Sequence, residues 1–205
     1  MYVVTNREVK EARPGEPLDL DVFGKQPNHA GPNELRIVRV ERAGDDWVAH
    51  TLKDELLVRE ARALRDKWNL DINPSEIRHA SLQVACDLYE QTQTTGRNLA
   101  VYVHGYNNDM RDVVETAERI ERDHGVICVV FSWPANGGGP VSGTLAYRRD
   151  KKDARASMDA LNRFFEKMQF FHEKLTAGMR ETLREKAAER HRSEEHTSEL
   201  QSLSH

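Results

Sequence analysis

Asn98-Leu99-Ala100-Val101-Tyr102-Val103-His104 and Val126-Ile127-Cys128-Val129-Val130-Phe131-Ser132 are two short, nearly unbroken apolar runs. Between them, Gly105-Tyr106-Asn107-Asn108-Asp109 is a glycine-and-polar turn. Val113, Val114, Ala117 and Ile120 then recur on one helical face until His124-Gly125 closes the helix as a C-cap. Continuous apolar strands, as opposed to alternating ones, belong to a sheet covered on both faces. Strand, about twenty residues of turn and helix, then strand is a right-handed βαβ unit with parallel strands. The fold class expected from this core (98–132) is α/β, a mostly parallel sheet with flanking helices.

The flanks can be read outward from that core. Tyr2–Thr5 is a short β-rich piece. The stretch after it carries Pro14, Gly15, Pro17, Gly24, Pro27, Gly31 and Pro32, which reads as loop. Leu35–Val40 and Trp47–Leu52 read as strands joined through Gly44-Asp45-Asp46 into a hairpin. Leu57, Ala61, Leu64 and Trp68 predict a helix over Asp54–Trp68. Asn73-Pro74 reads as the start of a second helix, with an apolar stripe of Ile77, Ala80, Ser81, Val84 and Leu88. Residues 1–97 thus form a hairpin with helices. After Trp133-Pro134, residues 133–149 read as a flexible loop containing Gly137-Gly138-Gly139. Residues 150–190 form one long helix whose Leu161, Phe164, Met168, Phe171, Leu175, Met179 and Leu183 make a narrow apolar seam.

Composition excludes several classes. Lys and Arg number 30 against 34 Asp and Glu, for a net charge of −4, so there is no basic field for nucleic acid. No apolar run reaches membrane-spanning length. The N-terminus lacks the basic and apolar regions of a signal peptide. Two cysteines, Cys86 and Cys128, make no disulfide framework and fit a reducing compartment, so a cytoplasmic location is expected. Their setting in a helix and a strand marks them as small buried hydrophobes. The histidines and cysteines show no ligand spacing, and the glycine run opens no helix at a phosphate-binding spacing. No metal or cofactor is therefore expected.

The chemistry concentrates at His104-Gly105-Tyr106-Asn107-Asn108, at the carboxyl end of a parallel strand, where ligands of α/β sheets collect. One reading is a tight turn with His104 bonded internally. The other is an anion-binding turn in which the backbone N–H of Tyr106 meets an oxyanion. Val101 to Asn108 (VYVHGYNN), a helix, and Val129 to Pro134 (VVFSWP) together resemble the α/β-hydrolase superfamily. They are most similar to a bacterial, largely uncharacterised, esterase- or lipase-like family. Thr5-Asn6-Arg7 and Gly31-Pro32-Asn33-Glu34-Leu35 resemble its N-terminal region. The resemblance implies an oxyanion-hole N–H from Tyr106, a turn shaped by His104 and Gly105, and a small ester or acyl substrate.

A serine hydrolase of this class needs a nucleophile elbow on a later strand-to-helix turn, followed by an acid and a histidine. No Gly-x-Ser-x-Gly stands in this chain. Gly139-Pro140-Val141-Ser142-Gly143 has the wrong spacing, and Ser132 precedes Trp133-Pro134 with no elbow around it. Arg192 to Ser202 (RSEEHTSELQS) resembles the in-frame translation of a sequencing adapter. The expectation is therefore a partial hydrolase domain over 1–191, a non-native tail over 192–205, and no serine-hydrolase activity in the chain as it stands. The alternative is a non-catalytic α/β domain that binds a protein partner through an exposed seam on the 150–190 helix.

Overall fold

The computed structural model describes residues 1–10, 18–105, 108–135 and 154–202, with side chains through Arg192. Tyr106, most of the 133–149 loop, Ser142 and the charged approach to the long helix lie outside the described residues. Five strands form the main sheet: β1 (Tyr2–Thr5), β4 (Arg36–Ala43), β5 (Asp46–Thr51), β6 (Leu99–Val103) and β7 (Ile127–Ser132), in the order β5-β4-β1-β7-β6. β1, β7 and β6 run parallel, while β4 lies antiparallel to β1 and to β5. The sheet is mixed, parallel where the βαβ reading places it and antiparallel where the hairpin joins.

Strand alternation divides the core between two faces. Val3, Val38, Val40, Cys128 and Val130 point to one side, where they pack on Val113, Val114 and Ala117 of α3 (Met110–His124). Tyr2, Val4, Val129 and Phe131 point to the other. There they meet Val84 and Leu88 of α2 (Ala80–Thr95) and Ala160 and Phe164 of α4 (Met158–Ser202). Every residue of β7 is buried, as an apolar strand covered twice must be. β6 is equally apolar but sits at the sheet edge, and its residues are only partly covered. A third cluster joins Ala61 of α1 (Val58–Trp68) to Leu82 and Cys86 of α2 and to Phe171 and Leu175 of α4.

Several boundaries move for identifiable reasons. Within the stretch read as loop, β2 (Arg7–Val9) and β3 (Phe23–Pro27) form a second, two-stranded sheet, with a 3-10 turn at Leu20–Val22 leading into β3. Gly24 belongs to that pairing, since a Cβ there would stand 2.9 Å from Glu8 Cβ. α1 begins four residues later than its apolar spacing predicts. Leu56 N–H donates to the Arg78 carbonyl and Glu55 bridges to His79, so this segment is bonded across the chain instead of along it. Leu57, placed on the stripe by its spacing, is exposed. Asn73-Pro74 starts only a turn, capped by Asn73 Oδ1 on the Ser75 N–H, and α2 starts at Ala80.

α4 is longer than expected and continues through the stretch set aside as a tail. Its seam faces inward. Phe164 packs on Phe131 with ring centroids 5.8 Å apart, Phe171 and Leu175 are buried, and Leu161 and Met168 are partly covered. The exposed seam required by the partner-binding alternative is not what these residues form; of the predicted set, Leu183 stands out in solvent.

Candidate active site at the carboxyl ends of the parallel strands

β1, β7 and β6 end side by side, and where their backbone ladder stops, side chains take over the bonding. Thr5 Oγ1 donates to the Ser132 carbonyl at 2.7 Å and accepts the Arg7 N–H at 3.0 Å. Asn6 Nδ2 donates to the Pro32 carbonyl and to Ser157 Oγ, both at 2.8 Å, which ties the strand end to the start of the long helix. Arg7 donates from Nε to Ser132 Oγ (3.0 Å), from Nη1 to the Gly24 carbonyl (3.2 Å) and from Nη2 to the Ala135 carbonyl (3.4 Å). Thr5, Asn6, Arg7, Ser132 and His104 are all buried. Buried polar groups of this density persist only when they are bonded to one another.

His104 is the hub. Its ring stacks on the Trp133 indole with centroids 5.2 Å apart and planes 5° from parallel. Nδ1 lies 2.8 Å from the Gly105 carbonyl oxygen, and Nε2 lies 3.2 Å from Ser132 Oγ and accepts the Trp133 N–H at 3.2 Å. The Trp133 indole N–H donates back to the His104 carbonyl at 3.0 Å, so β6 and β7 are locked across their ends. Burial, with the Arg7 charge adding to it, pushes the His104 pKa down to about 4, and the imidazole is neutral at pH 7.

Of the residues singled out in the sequence, His104 and Gly105 stand at the strand end as expected. Tyr106 lies outside the described residues. Gly105 does not occupy the left-handed region, and among the described residues a Cβ on it would meet Asn108 Oδ1 at 3.6 Å. At Gly105 itself the backbone does not demand glycine; the turn it leads into lies outside the described residues. The sequence reading sets Ser132 aside as a nucleophile and takes Thr5 and Arg7 only as part of the resemblance. Three polar residues directly after an apolar strand, at the end where ligands gather, were the available signal.

A cleft of about 550 Å³ opens at the opposite, amino end of the strands among Met1, Tyr2, Arg39, Asp87, Arg97 and Glu121. Its polar groups are already bonded within the protein. Tyr2 Oη donates to Asp87 Oδ2 at 2.8 Å, and Arg97 donates to the carbonyls of Gly125, Glu121 and Val126. The strand carboxyl ends, with a neutral imidazole and a buried guanidinium, hold the more versatile chemistry. Among the described residues, no three His, Cys, Asp or Glu side chains group as a metal site.

Fold and site together define an α/β protein with its polar centre at a βα turn. Residues 82–175, running from α2 through β6, α3 and β7 into α4, match the family described as alpha/beta hydrolase of unknown function (DUF900). No curated protein and no solved structure matches the chain. No helix among the described residues is long and apolar enough to cross a membrane.

Proposed function

We propose that this chain carries the front half of a serine esterase-like active site, acting on a small ester or related acyl bond. The observation that carries this reading is the contact of His104 Nδ1 with the Gly105 carbonyl at the carboxyl end of β6. A trans peptide holds its C=O and the following N–H on opposite sides. In this reading the N–H of the next residue, Tyr106, is left free of the imidazole to serve as the donor. A backbone N–H in that position is suited to the negative oxygen that develops as an acyl carbon becomes tetrahedral.

In this reading His104 is not the general base. Its Nε2 is occupied by Trp133 N–H and Ser132 in a buried environment, so it shapes the turn instead of moving protons. Ser132 is not the nucleophile either, because it is fully buried in β7 and sits on no strand-to-helix elbow. In this reading the nucleophile, acid and catalytic histidine belong to a native sequence that diverges from this chain near His191. Fluorophosphonate labelling tests this directly. The 205-residue chain should not label, whereas the product of the uninterrupted reading frame should label at one serine, with ester turnover lost when that serine becomes Ala. Changing the Tyr106 side chain should cost far less, since its backbone is the donor. An uninterrupted product that neither labels nor turns over esters defeats the proposal.

A further inference from the structure

The main sheet has two edges, and they are guarded unequally. Along β5, Leu18 exchanges both backbone hydrogen bonds with Ala49, and Asp46 and His50 stand on the strand. β6 has no comparable guard among the described residues, and Asn98 to His104 contains no Asp, Glu, Lys, Arg or Pro. Ile127 N–H donates to the Asn98 carbonyl, so in this parallel ladder Asn98, Ala100 and Tyr102 face β7. Leu99, Val101 and Val103 turn their N–H and C=O groups to the open side. These three alternate positions are symmetric about Val101. An antiparallel copy of the same strand pairs Val101 with Val101 and Leu99 with Val103, giving about six hydrogen bonds.

The surface beside this edge is as uncharged as the strand. Leu99 and Val101 are partly covered at the margin of one core cluster, and so are Leu161 and Met168 of α4. Arg163, on the other flank of α4, donates to the Asn33 carbonyl near the start of β4. The opposite flank therefore turns toward β6 and carries Met158, Leu161, Asn162, Phe165, Met168 and Gln169. Charged residues make up 31% of the chain, yet none lies on this flank or on the strand. Met158, Phe165 and Val103 are 53%, 46% and 40% exposed. Charge decides the occupant. A two-fold interface lays one surface against itself, so any charge near its axis would meet its own sign and repel. An uncharged surface meets itself without that cost. A two-fold axis normal to the sheet at Val101 also brings both α4 flanks together on one face. We propose that this chain pairs with a second copy of itself, β6 on β6, making one sheet from twice five strands. The pairing is independent of the esterase reading.

Light scattering on the 205-residue chain at micromolar concentration should give a particle of twice the 23.5 kDa chain mass. V103K and F165E, both at exposed positions, should each halve that mass and leave the circular dichroism spectrum unchanged. Amide hydrogen exchange reads the edge itself. The N–H groups of Leu99, Val101 and Val103 should be protected in the parent and exchange freely in both variants. A monomeric parent, larger species without a dimer plateau, or a dimer that survives in either folded variant overturns the pairing. So does a monomer in which those three amides stay protected, because another part of the chain would then cover the edge. Should one variant fail to fold, the other decides.

Discussion

His104 makes the carboxyl end of the sheet a pH-sensitive joint. Its folded pKa is depressed to about 4, against 6.5 for a free imidazole, so the unfolded chain takes up the proton first as pH falls. The stability this group contributes is complete above about pH 6.5 and is lost as pH drops from there through about 4. A full shift of that size corresponds to roughly 3 kcal/mol. Urea midpoints measured from pH 7 to pH 4 should therefore fall more steeply in the parent than in His104→Gln; parallel curves would show that the buried ring is not the cause. The neighbouring Gly105 makes the opposite case. Its backbone lies outside the left-handed region and its missing Cβ faces ordinary contact distances, so Gly105→Ala should fold normally and gain about 0.4–1 kcal/mol through the unfolded chain. A loss of stability on denaturant titration would mean that the turn does require glycine.

Elements were legible in the sequence in proportion to how far local chemistry dictated them. The βαβ unit was fully readable, because β6, α3 with its C-cap at Gly125, and β7 each carry an unbroken local signal. The hairpin likewise followed from its turn, where Gly44 adopts φ +63°. What could not be read depended on partners distant in sequence. The β2–β3 pair is held by cross-chain register, and the late start of α1 is set by its bond to Arg78. In the site, His104 announced itself through the motif around it, whereas Arg7 and Ser132 acquire meaning only when β1 lies beside β7. α4 illustrates both sides: its seam was visible in the spacing, but the sheet decided that it faces inward. Phe164 is the anchor of that docking, so Phe164→Ala should cost about 3–5 kcal/mol in chemical denaturation. A change well under 1 kcal/mol would indicate that α4 does not pack on β7 in solution.

At the scale of the whole molecule, two faces of one mixed sheet are closed by unequal means. Among the described residues, α3 with Val22 and Phe23, at the entry to the small sheet, covers one side, and α1, α2 and α4 share the other. The long helix approaches this second layer closely at Gly178. A Cβ on Gly178 would stand 2.2 Å from the Trp68 carbonyl oxygen and 2.6 Å from that of Asn69, so the carbonyl end of α1 rests directly on the α4 backbone. Gly178→Ala must push the two helices apart, and a loss of about 1–3 kcal/mol by thermal or urea unfolding is expected from such overpacking. A neutral effect would show that the helices do not approach so closely.

That contact works like a key in a shaft. Slipping α4 by one turn, about 5.4 Å, would bring Lys174 or Thr182 beneath the same carbonyls, and neither side chain leaves them room. A slip of one turn in either direction is thereby excluded. Gly178 therefore also sets how far the helix reaches beyond its seat: the stretch to His191, the last residue before the adapter-like segment, amounts to about 20 Å of rod.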